Sequence, residues 1–109
     1  MRLHKVNDMK KGWVVGNFVP SVLQTENFEV AIQKHEKGYT APLHLHKKFI
    51  EINVIVEGRM IVNGHELTDG DIFTFDVMEV SDSVFLEDTT LVVIRPGSDT
   101  NDKYKVKLT

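Results

Sequence analysis

Residues 38–58 read GYTAPLHLHKKFIEINVIVEG, and the fold and the chemistry of the chain both turn on them. His44 and His46 are separated by one residue, and in a strand residues i and i+2 point to the same face. The two imidazoles can therefore aim at one point. Glu51 comes five residues after His46, so an unbroken strand would carry it to the opposite face. A bulge or short loop at Lys47-Lys48 would bring it back, as bulges beside sites often do. Two neutral imidazoles and one carboxylate, with coordination positions left open, suit a reactive divalent metal.

The run that follows, EINVIVE over residues 51–57, is rich in β-branched residues on both faces and predicts a strand buried on both sides. Upstream, Phe28 to His35 alternates with period two, which predicts a half-buried strand. Phe28, Val30 and Ile32 share one face of it; Glu29, Ala31, Gln33 and His35 share the other. Trp13 to Val19 reads as a first strand stopped by Pro20. Arg59 to Val62 is followed by Asn63-Gly64, a hairpin signal because both residues tolerate positive φ, and His65-Glu66-Leu67 begins the return. Ile72 to Phe75, Val84 to Leu86 and Leu91 to Ile94 are further strands, with Glu87 to Thr90 as a turn. Residues 1–12 read as an arm or edge strand, and residues 99–109 as a polar C-terminal segment with a weak alternation at Tyr104, Val106 and Leu108. No segment keeps a helical period over three turns. Short strands at close spacing with turn residues between them predict an all-β sandwich or barrel.

The chain has 109 residues, enough for one domain with one core. A net charge of −3 with dispersed lysines excludes a basic nucleic-acid patch. There is no cysteine, which excludes disulfides and thiol catalysis. The N-terminus lacks a signal-peptide core and no apolar run reaches membrane-spanning length. The expectation is a soluble, cytoplasmic protein with no nucleic-acid or membrane partner.

The segment 38–58 resembles the first motif of the cupin family: a glycine, five residues, HxH, a short spacer, a glutamate, six residues and a glycine. Gly38, His44, His46, Glu51 and Gly58 stand at those positions, and the region from about Trp13 to Pro96 holds the strands a small cupin needs. The resemblance implies one domain over 1–109, an antiparallel double-stranded β-helix (the cupin jelly-roll barrel), with His44, His46 and Glu51 as three of the family's four usual metal ligands. The second motif departs. Gly70-Asp71 and the strand IFTF begin it, but its proline position holds Asp76, its turn glycine Met78 and its histidine Ser81. Ser81 is a poor metal ligand, and Asp82 beside it would point away. The late segment is also similar to short cupins encoded beside sugar-nucleotide and surface-polysaccharide genes.

Each residue singled out has an ordinary role beside a functional one. Glu51 is a metal ligand or, without metal, a general base, and His44 is its candidate catalytic partner. Asn53 shares the face of Glu51 and either orients a substrate or makes a structural hydrogen bond. Gln33 and His35 line the pocket if their face turns inward; solvent exposure is the more ordinary fate of such a polar face. Ser81 could touch a ligand or a metal-bound water. His4 and His65 read as surface groups, Arg95 as a surface or interface charge, and Phe73, Phe75 and Phe85 as core.

Three functions fit. The first is a cupin-type protein acting on a small polar or sugar-like metabolite through a divalent metal (iron, manganese, nickel or zinc). The second is a metal-free isomerase or epimerase of the sugar-nucleotide kind, and the third is a non-catalytic small-molecule or carbohydrate binding module; whether the chain turns over a substrate stays open between them. A homodimer is expected under all three, because apolar residues on the outer strand faces need cover. The strand around Trp13 is the element expected to cross to the partner.

Overall fold

In the computed structural model, which describes residues 1–107, the last long strand shows most simply how the barrel is built. Over Thr89–Arg95, buried and half-buried residues alternate without a break: Thr89, Leu91, Val93 and Arg95 face in, and Thr90, Val92 and Ile94 face out. Period two puts one residue set in the interior and leaves the other on the outer surface.

Among the described residues two short 3-10 turns, Val6–Asp8 and Lys10–Gly12, precede eleven strands. These are β1 (Trp13–Gly16), β2 (Leu23–Gln24), β3 (Glu29–His35), β4 (His44–Leu45), β5 (Glu51–Glu57), β6 (Arg59–Val62), β7 (His65–Thr68), β8 (Ile72–Phe75), β9 (Ser83–Phe85), β10 (Thr89–Arg95) and β11 (Tyr104–Lys105). One sheet has the order β2-β1-β3-β10-β5-β8, a second β7-β6-β9, and β4 pairs with β11. All pairings are antiparallel except β1 with β2. The sheets close on a core of Ala31, Ile55, Met60, Val62, Phe75, Phe85, Leu91 and Val93.

The turns follow residue chemistry. Asn63 (φ 46°) and Gly64 (φ 83°) link β6 to β7, as a two-residue hairpin loop with both φ values positive demands. Gly58 joins β5 to β6 at φ 122°, where a Cβ would stand 2.4 Å from Thr89 Oγ1 and 2.7 Å from the Asp88 carbonyl oxygen. Only glycine fits so close an approach.

Several expectations need correction. The arm over residues 1–12 is not an edge strand; its 3-10 turns contain no buried residue. β1 stops at Gly16 rather than Val19. β10 starts at Thr89, so the expected turn over 87–90 is shorter. β5 is buried on one face only: Asn53 and Ile55 are buried, whereas Val56 is 54% exposed. The polar face of β3 is its inner face, with Glu29 and Ala31 buried and Phe28 on the surface. Arg95 is no surface charge, being 3% exposed. Of the expected C-terminal alternation, Tyr104 lies in β11 and Leu108 lies outside the described residues. Among the described residues no helix is long and apolar enough to cross a membrane.

Candidate functional site

Register across the main sheet sorts the inner face into rows. Glu29 lies opposite Arg95, Ala31 opposite Val93, which in turn faces Asn53, Gln33 opposite Leu91, which faces Ile55, and His35 opposite Thr89. Phe73 and Phe75 extend the rows through Asn53 and Glu51 on β8. From Glu29 to His35 the strand rises about 20 Å, so charged groups sit at one end and an aromatic group at the other. A cavity of about 1130 Å³ runs between them, and Gln33, His35, His44, His46, Glu51, Asn53 and Ser81 all line it.

At the charged end, β4 brings in His44 and its chain neighbour His46. The His44 and His46 rings are perpendicular, 88° apart with centroids at 5.3 Å. His44 Nδ1 lies 2.9 Å from the Pro42 carbonyl oxygen. A carbonyl only accepts, so Nδ1 carries the proton and the lone pair is on Nε2. His46 Nε2 lies 3.6 Å from Glu51 Oε2, and the other Glu51 oxygen accepts from Asn53 Nδ2 at 3.2 Å. Residues 46–50 leave strand geometry between β4 and β5, and this short loop overcomes the odd offset between His46 and Glu51. Burial, then the positive Arg95, then His44 lower the His46 pKa from 6.5 to about 4. Its contact with Glu51 therefore joins a neutral imidazole to a carboxylate. Ser81, 5% exposed, bridges to His44 where β4 approaches the start of β9.

The donor set suits a divalent ion in chemistry. His46 offers a neutral ring, the Pro42 contact of His44 Nδ1 leaves its Nε2 unengaged, and His46 Nε2 and Glu51 Oε2 at 3.6 Å are close enough to serve one ion. The carbonyl behind His44 Nδ1 is the kind of partner that orients metal-binding imidazoles. Among the described residues, however, no three His, Asp or Glu side chains already converge into a cluster that would grip an ion. His46 Nε2 and Glu51 Oε2 lie 3.6 Å apart, and the His44 ring stands beside His46 with centroids 5.3 Å apart.

The sequence reading missed the network beneath this end. Arg95 Nη1 donates to Glu29 Oε1 at 2.9 Å and Nη2 to Asp102 Oδ2 at 2.7 Å. Ser98 Oγ donates to Glu29 Oε2 at 2.8 Å. Burial alone would raise the Asp102 carboxyl, but the Lys47 and Lys48 amides and Arg95 outweigh it and hold it below its ordinary range. A signal for Arg95 was present: continuing the alternation of Leu91 and Val93 puts it on the inner face. For Asp102 there was none, since it lies in an irregular polar stretch. At the far end His35 stacks on Phe85 (4.4 Å, 27°) and Tyr39 (5.5 Å, 5°), and its Nε2 lies 3.2 Å from Gln33 Oε1. Burial lowers the His35 pKa.

No protein-family model and no curated protein matches the chain. Solved structures do. An uncharacterized conserved protein with a double-stranded β-helix domain from Klebsiella pneumoniae is 19% identical at TM-score 0.70, over 98% of this chain and 93% of that one. KdgF from Halomonas is 23% identical at TM-score 0.61, over 69% and 74%. The pirin YhhW from Escherichia coli, described in complex with nickel(II), is 12% identical at TM-score 0.66, over 80% of this chain and 39% of that one. At such identities the likeness establishes the architecture, a double-stranded β-helix, and leaves the chemistry to the residues.

Proposed function

We propose that this cupin domain takes a small polar or sugar-like metabolite into its barrel and engages it through a divalent metal held by His44, His46 and Glu51. The observation that carries the reading is the meeting of His46 Nε2 and Glu51 Oε2 at 3.6 Å on the wall of a large cavity, beside a His44 whose Nδ1 is already committed. A bound ion would supply Lewis acidity, polarising a carbonyl or hydroxyl of the metabolite. The chain supplies the rest. Asn53 steadies one Glu51 oxygen and leaves the other facing His46. Ser81, a small residue at the motif position of the usual fourth ligand, lines the same cavity. Gln33 and His35 offer polar contacts farther along the cavity, between Leu91 and the aromatic pair Tyr39 and Phe85.

The test is calorimetric titration of chelator-treated protein with nickel(II), manganese(II), iron(II) and zinc(II). About one equivalent should bind to at least one of them, with a rise in unfolding temperature that follows mass action. Glu51→Gln and His46→Gln should each abolish most of that affinity. Binding below about a tenth of an equivalent for all four ions, with no thermal shift, would overturn the metal reading.

A second reading is favoured by the absence of a ready-made three-donor cluster among the described residues. In it Glu51 takes a proton from a bound sugar-like substrate with no metal, or the cavity binds without turnover. Chelator-resistant conversion lost in Glu51→Gln marks the first form, and a ligand recovered unchanged marks the second.

A further inference from the structure

The strand that carries His44 belongs to neither main sheet. β4 pairs with β11 through Leu45–Tyr104 and His44–Lys105, and on its other side meets Ser81 in a single bridge. Beyond β4 the chain must turn within a few residues so that His46 and Glu51 face each other. Such a turn points backbone N–H groups inward, where each needs an acceptor.

Asp102 supplies it. Its carboxylate is 1% exposed, accepts from the Lys47 amide at 2.8 Å, and takes the Lys48 amide on both oxygens at 3.2 and 3.1 Å. Arg95 Nη2 at 2.7 Å balances its charge, and Arg95 in turn is tied to Glu29 on β3. The same C-terminal segment grips the side chains of the turn. Lys48 pairs with Asp99, and Lys47 Nζ lies 4.2 Å from the Tyr104 ring centroid. One carboxylate thus links the turn between His46 and Glu51 to the main sheet.

We infer, resting on the metal reading above, that Asp102 is a positioning residue: it holds the Lys47–Lys48 turn so that His46 and Glu51 stand at coordinating separation. The physical reason is the strength of a charged acceptor. Hydrogen bonds to an ionised carboxylate are roughly twice as strong as neutral ones, and a carboxylate serves both amides at once. With a neutral amide in its place, the oxygen that takes both N–H groups loses its charge, and an NH2 replaces the oxygen that accepts from Lys48 N–H and Arg95 Nη2, setting donor against donor, so the turn relaxes toward solvent. His46 and Glu51, at its two ends, then lose their fixed spacing.

The experiment compares Asp102→Asn with Glu29→Gln. Glu29→Gln disturbs the same arginine from its other side without touching the amides of the turn. In nickel(II) titrations of folded protein, Asp102→Asn should weaken affinity about tenfold or more, the range seen when groups that orient metal ligands are lost. Its cobalt(II) form should show an altered visible spectrum. Glu29→Gln should lose thermal stability yet keep nickel affinity within about twofold and an unchanged cobalt spectrum. Equal losses in both variants, or wild-type affinity in Asp102→Asn, overturn the inference. If wild-type protein takes no nickel, the comparison is made with whichever of the four ions it does bind; if it binds none, the metal reading falls and amide hydrogen exchange decides the role of Asp102. The same measurement decides if Asp102→Asn does not fold. In metal-free wild type the Lys47 and Lys48 amides should be protected; exchange at unprotected rates overturns the inference.

Discussion

His46 is kept neutral by its place in the barrel: burial first, then Arg95 and His44, hold its pKa at about 4 against 6.5 when unfolded. The consequence for stability has a definite sign. Above pH 6.5 both states leave the ring neutral and the group contributes no pH dependence. As pH falls from 6.5 toward 4 the unfolded chain takes up a proton that the folded chain refuses, so stability declines through that window by up to roughly 3 kcal/mol. Thermal unfolding of metal-free protein at pH 7 and pH 4.5 measures it. His46→Gln should show a smaller drop than wild type between the two values, and an equal drop would mean that His46 is not the group responsible. At this scale much was legible beforehand. His44, His46 and Glu51 declare themselves by residue type and spacing, and Asn53 by sharing the face of Glu51. Arg95, a long cation near a strand end, reads from the sequence as a surface or interface charge. Its burial depends on two carboxylates, Glu29 and Asp102, that lie 66 residues before it and 7 after it.

Among the elements, β10 and β3 carry the charged end of the cavity, and the cost of unbalancing them can be estimated. Arg95→Met leaves Glu29 and Asp102 buried without their cation and should lower unfolding free energy by about 3–5 kcal/mol in urea titrations. Thr90→Ala, on the outward face of β10, should change it by no more than about 0.5 kcal/mol. Similar small effects for both would contradict the inward assignment of Arg95. Strand positions were readable from period two and from turn residues such as Asn63-Gly64, which local sterics decide. Which face of β3 turns inward was not readable. Its polar face holds Glu29, Gln33 and His35, and it is inner only because Arg95, Ser98 and the cavity receive those groups. The single-sided burial of β5 escaped for a related reason: β-branched residues suit a pleated strand whether or not a neighbour covers them.

For the molecule as a whole, the outer face of the six-stranded sheet is apolar over several strands. Val30 and Ile32 of β3, Val92 and Ile94 of β10, and Ile52 and Val54 of β5 are half-buried, while Val56 and Ile72 are exposed. A face of that kind, with the apolar Met1, Leu3 and Val6 of the arm also on the surface, supports the proposal of a homodimer. Sedimentation at micromolar concentration should return twice the mass of the chain, and Val56→Lys should shift it toward the monomer mass. A clean wild-type monomer would remove the proposal. The sequence by itself determined the all-β class, most of the strands and three residues of the candidate site, because alternation, turn chemistry and the reach of a side chain along a strand are local properties. Only the tertiary structure decided that His46 and Glu51 meet across an offset of five residues, and that Asp102 and Arg95 lie beneath them. A loop's path and a buried charge's partners are set by groups distant in the chain, which no local pattern encodes.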